Sequence, residues 1–69
     1  MIKPGKYKHF KGHEYEVIGI AIYSETLEDM VVYRELFGEN RLWVRPAGMF
    51  EEDVEKDGIK TPRFEYIGG

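Results

Sequence analysis

The sequence predicts an all-β domain, and three observations lead there. Short runs alternate apolar with polar residues, the pattern of half-buried strands. No stretch long enough for an ordinary helix carries helical apolar spacing. Glycine and proline punctuate the chain at short intervals, and Asp57-Gly58 between alternating residues is a hairpin signal suited to a type I′ turn. Closure removes exposed edges from a small sheet. The expected form is therefore a small SH3-like barrel or rolled antiparallel sheet of about five to six strands with one short 3₁₀ turn.

The elements follow in order. Gly5 opens a first strand over Lys6 to Phe10, in which Tyr7 alternates with Lys6 and Lys8, and Lys11-Gly12-His13 is the turn. Glu14 to Ser24 reads as one long strand with a change of phase. Tyr15 and Val17 carry the apolar parity first, then Ile18, Ile20 and Ile22, and Gly19 sits at the switch as the mark of a bulge or bend. Such a bend lets the two halves of a strand serve two sheets. Residues 25–29 form a polar loop. Met30 to Phe37 is the third strand, residues 38–41 turn, and Leu42 to Arg45 is a short fourth strand stopped by Pro46. Pro46 to Phe50 has room for a single helical turn. Phe64 and Tyr66 share one face of a final strand.

With 69 residues the chain makes one domain, 1–69, with an ordered core over about 5–67 and a frayed Gly68-Gly69 tail. Roughly 60% of the unfolded surface is buried at this size, so the core is thin and leaves no room for a wholly enclosed active site. Aromatic residues make up 14%, and rings raise the buried area per residue. The absence of cysteine removes disulfides, thiol nucleophiles and thiolate zinc sites, and fits a cytoplasmic location. No secretory signal precedes the first strand, and the longest apolar run, Val17 to Tyr23, is too short to span a bilayer, so no membrane partner is expected. A net charge of −3 argues against a protein that coats nucleic acid. The charge is uneven: Lys3, Lys6, Lys8 and Lys11 precede the first acid, while residues 51–57 hold five acids against Lys56. Such blocks read first as solvated faces, and second as a basic anion-binding edge.

Several blocks stand in a familiar order: residues 5–12 (GKYKHFKG), 15–19 (YEVIG), 24–28 (SETLE), 31–34 (VVYR), 42–46 (LWVRP) and Met49-Phe50. Together they resemble a short bacterial family, the domain of unknown function numbered 1653, and the resemblance runs from Gly5 to about Ile67. It implies a small bacterial cytoplasmic domain that often stands alone, and it brings no activity with it. Where that family often has Arg-His before Ser-Glu-Thr, this chain has Ile22-Tyr23, so no catalytic histidine is carried over to that place.

The residues that invite a role lie in the hairpin from Tyr33 to Arg45. If Leu36 pairs with Leu42 or Val44, the inner face is Val32, Leu36, Leu42 and Val44. The outer face is then Tyr33, Glu35, Phe37, Trp43 and Arg45, with Glu35 near Arg45. A slip of one residue exchanges the faces. Three rings beside an arginine can stack a base, a peptide aromatic or a methylated cation. Against this stands the plain reading that Trp43 plugs one end of the barrel.

The predicted function is a non-catalytic binding module for a protein or peptide. Its candidate site is Tyr33, Trp43 and Arg45, with His9 and Tyr7 contributing an edge, and no cofactor is implied. One alternative is weak nucleic-acid binding by Trp43, Arg45 and the N-terminal lysines. A second is a small hydrolase pairing His9 with Ser24 or Glu25, which requires those groups within hydrogen-bonding reach. A third is homodimerisation through the aromatic face. His9 and His13 with Glu14 or Glu16 suggest a metal only weakly, because a strand and turn need not bring the two rings together. Among the lysines, the pKa of His9 is expected to fall. The terminal Gly-Gly is shared with ubiquitin-like modifiers, but their crossing helix has no counterpart here.

Overall fold

The computed structural model describes residues 2–69. They form β1 (Gly5–His9), β2 (Glu14–Tyr23), β3 (Glu28–Glu35), β4 (Leu42–Pro46), α1 (Ala47–Phe50), β5 (Asp53–Lys56), β6 (Ile59–Pro62) and β7 (Phe64–Gly68). An antiparallel sheet runs β4-β3-β2-β1-β7, and β5-β6 form a separate two-stranded sheet. The closed SH3-like barrel is thus corrected: among the described residues β4 and β7 remain edges, and the strands number seven. The extra strands come from the Asp57-Gly58 hairpin, whose two turn residues have φ of 54° and 78°, as a type I′ turn requires.

Gly19 marks a bulge as expected, for the β2–β3 register shifts between Val17 and Gly19. The two halves of β2 do not divide between sheets, however. Glu14 to Val17 lies between β1 and β3, whereas Gly19 to Tyr23 pairs with β3 alone. Ile20 and Ile22 are consequently exposed. Strand β3 starts and stops two residues earlier than the pattern suggested, because Leu27 at φ 62° already closes the turn and its N–H donates to the Tyr23 carbonyl at 2.7 Å. The turn after Pro46 is α-helical, with the Glu51 N–H donating to the Ala47 carbonyl at 3.1 Å. Gly68, assigned above to a frayed tail, closes β7 opposite Lys6.

Alternation groups the side chains of the β3–β4 hairpin as expected, but the buried face is the other one. Val32 faces Val44, and Tyr33 faces Trp43. Tyr33 and Glu35 are 4% and 1% exposed, while Leu42 and Val44 are 56% and 61% exposed. The sheet curls around its rings, so the concave face carries Tyr7, Tyr15, Val17, Val31 and Tyr33, closed by Phe50 of α1 and Phe64 of β7. One position demands glycine. At Gly5, φ is +134°, and a Cβ there would lie 2.7 Å from the Gly68 carbonyl oxygen and 2.9 Å from the Tyr66 ring.

Candidate functional site

The floor of the concave face is a continuous layer of rings. Phe50 and Phe64 stack in parallel at 4.2 Å, and Tyr7 meets Phe50 edge-on at 5.3 Å. Tyr33 meets Phe50 and Phe64 edge-on, and Tyr15 meets both Tyr33 and Phe64. Edge-to-face contacts of this kind contribute about 0.5–1.5 kcal/mol beyond area burial. Tyr7 and Tyr33 are therefore core residues. The Tyr7 hydroxyl donates to the Lys3 carbonyl at 2.8 Å and accepts from its N–H at 3.2 Å, which ties the N-terminal segment to the sheet.

On the rim of this layer stands a polar network centred on buried Glu35. Trp43 Nε1–H donates to Glu35 Oε1 at 2.8 Å, and Arg41 Nε–H donates to Oε2 at 3.0 Å. The Arg41 guanidinium lies 5.1 Å from the Trp43 ring. The hydrogen bonds from Arg41 and then Trp43 outweigh desolvation and hold the Glu35 carboxyl at about 2. The partner of Glu35 is thus Arg41, where the sequence suggested Arg45. Trp43 does not plug the core: it is 42% exposed, fixed at its indole nitrogen, with the Arg41 guanidinium over its ring. Arg45 is half-buried, donates from Nε to the Tyr33 hydroxyl at 3.4 Å, and places its guanidinium 5.8 Å from the Phe64 ring.

His9 completes the rim from β1. Its ring lies 4.5 Å from Phe10, 4.9 Å from Phe64 and 6.2 Å from Tyr15. Its pKa falls as expected, but for a different leading reason: burial comes first, followed by the charges of Arg45, Arg63 and Lys11 and by His13. The N–H of Lys11 donates to His9 Nδ1 at 3.2 Å, which leaves the proton of the neutral ring on Nε2.

Of the predicted residues, Trp43, Arg45 and His9 are brought to one rim, while Tyr33 and Tyr7 lie beneath it. Sequence reasoning missed Arg41, Tyr15, Phe64 and Arg63. The alternation Arg41-x-Trp43-x-Arg45 was the available signal for the first of these. The other arrangements do not assemble. Ser24 follows the far end of β2 from His9, roughly 30 Å along a strand of this length. His13 stacks on Phe37 at 4.2 Å, and among the described residues no group of three or more His, Cys, Asp or Glu is placed to hold a metal ion. Lys6 and Lys8 alternate with buried Tyr7 and face Glu16 and Glu14 across the β1–β2 ladder, on the side of the sheet away from Trp43. No helix is long and apolar enough to cross a membrane.

Fold and rim together define a small curled all-β domain with an aromatic floor and an edge of indole, guanidinium and imidazole. The chain belongs to the DUF1653 family, described as proteins of unknown function, whose model matches residues 5–66. A crystal structure of a protein belonging to DUF1653 from Bordetella bronchiseptica is similar at a TM-score of 0.90 and 35% identity, covering 97% of this chain and 88% of that one. Among curated proteins none matches.

Proposed function

We propose that this domain is a non-catalytic binding module of the bacterial cytoplasm that takes a protein or peptide on the rim formed by Trp43, Arg45 and His9, with Tyr33 and Tyr7 as the ring layer beneath. One observation carries this reading. A buried carboxylate spends both of its oxygens on holding an exposed tryptophan and the arginine packed against it. Burying an ionised group is costly unless it is fully hydrogen-bonded, and here the bonds serve to orient surface side chains. Exposed, oriented Trp and Arg are the side chains that anchor protein contacts. Strand β4 is also a sheet edge, so an extended peptide can pair with it while its side chains meet Trp43 and Arg45. The lack of cysteine supports a reducing compartment.

The test is selection from a random peptide library against the wild-type domain and a Trp43→Ala, Arg45→Ala variant whose amide spectrum shows it folded. Wild type is expected to enrich related peptides and the variant none. Enrichment by neither, or by both equally, overturns the reading.

A further inference from the structure

We infer that the group recognised on this rim is an oxyanion, a carboxylate or phosphate, seated on the guanidinium of Arg45 with the His9 imidazole and Tyr15 hydroxyl as neutral donors. The inference rests on the binding-module reading and names the chemistry of the ligand.

It starts from a difference among three arginines. Arg41 is paired with Glu35 at 3.0 Å and Arg63 with Glu52 at 3.1 Å. Among the described residues Arg45 has no carboxylate in ion-pair range, and its one hydrogen bond is a long contact to a neutral phenol. A half-buried guanidinium has lost part of its hydration and ordinarily recovers it from an acid. Two neutral donors beside it are likewise unused. His9 accepts at Nδ1, so its Nε2–H is a donor with no partner among the described residues, and the Tyr15 hydroxyl makes no hydrogen bond there either. Arg63 Nε is buried and also without a hydrogen-bond partner among the described residues.

The charges around His9 are all positive. Arg45, Arg63, Lys11 and His13 all act on His9, while Arg41, Arg45 and Glu35 act on Tyr15. Lys8, Lys56 and Glu65 line the adjoining cleft of about 240 Å³ with His9. Glu35 and Glu52 are already committed to Arg41 and Arg63, and Glu65 is the acid in the cleft lining. This excess stands in a chain whose net charge is −3. A guanidinium fork flanked by neutral N–H and O–H donors is the geometry that carboxylate and phosphate share.

The test is separate NMR titration of the domain with inorganic phosphate and with acetate at constant ionic strength. Saturable shifts are expected at the His9 imidazole and the Arg45 Nε–H, and bound anion should raise the His9 pKa by offsetting the cations around it. The anion that saturates first names the source of the charge. Arg45→Gln should weaken binding about tenfold or more, and Arg45→Lys, which keeps the charge without the fork, should fall between. Lys6→Gln, on the far side of the sheet opposite Glu16, should leave it unchanged. Failure of both anions to saturate, or shifts confined to lysines, overturns the site on the wild-type protein alone, whatever the folding of the variants. A library-selected peptide that binds wild type and Arg45→Gln equally refutes the oxyanion and leaves the binding module standing. Saturable anion binding with no selectable peptide does the reverse.

Discussion

The two faces of the five-stranded sheet invert the usual expectation. The concave face buries tyrosines and a glutamate, while the convex face leaves Leu42 and Val44 more than half exposed. Hydropathy alone would reverse them. Curvature explains the choice, since the inside of a tightly curled sheet has few positions, and a small domain fills them with side chains of large area. Rings also carry polar ends that reach the rim. Tyr7, Tyr33 and Trp43 place their bodies in the core or against it and join their O–H or N–H groups to Lys3, Arg45 and Glu35. Aliphatic side chains on the same face would have filled the space without building the rim.

The contrast is broken most severely at Phe64, which is 7% exposed and touches Phe50, Tyr33, Tyr15 and His9. Phe64→Ala is expected to cost about 3–5 kcal/mol, enough to unfold much of the population of so small a domain. Val44→Thr on the convex face should stay within about 0.5 kcal/mol. Denaturant midpoints measure both, and a larger loss at Val44 would show that the convex face is covered in solution. Next in size is Gly5→Ala, where the side chain meets the β7 backbone. It should cost about 1–3 kcal/mol, with amide exchange rising first along β1 and β7. Exchange unchanged at that edge would mean the strands accommodate the methyl group.

The polar handle gives the smallest and sharpest effect. The folded Glu35 carboxyl titrates near 2 against an ordinary 4.5, so its contribution is full above about pH 5 and fades as pH falls towards 2. Wild type should lose stability across that window more steeply than Glu35→Gln, which keeps an acceptor for Trp43 but no charge for Arg41. Trp43 fluorescence should follow the same titration. Parallel pH curves for the two proteins would refute the assignment.

Much of this architecture was legible in the residues. The bulge at Gly19, the turn at Asp57-Gly58 and the grouping of Tyr33, Trp43 and Arg45 on one face all follow from local rules of parity and backbone conformation. What was hidden depends on curvature. Parity sorts side chains into two faces, but only the sense of the curl decides which face is inside, and that sense is set by Phe50 and Phe64 arriving from elsewhere in the chain. For the same reason Phe64 could not be placed against Arg45, since they stand on opposite edge strands of the sheet. Closure failed because the last acidic segment folded into its own hairpin, leaving both edges unpaired.

The pairing of β1 with β7 sets a timetable for synthesis on the ribosome. The meander from β1 to β4 is built from neighbours and can zip as it emerges. Its concave rings nevertheless lack their stacking partner until Phe64 has left the exit tunnel. A nascent chain halted at Pro62 displays Tyr7, Tyr33 and Phe50 without their cover, a sticky intermediate that invites chaperone capture. The ring layer is therefore completed only when the final strand docks beside β1.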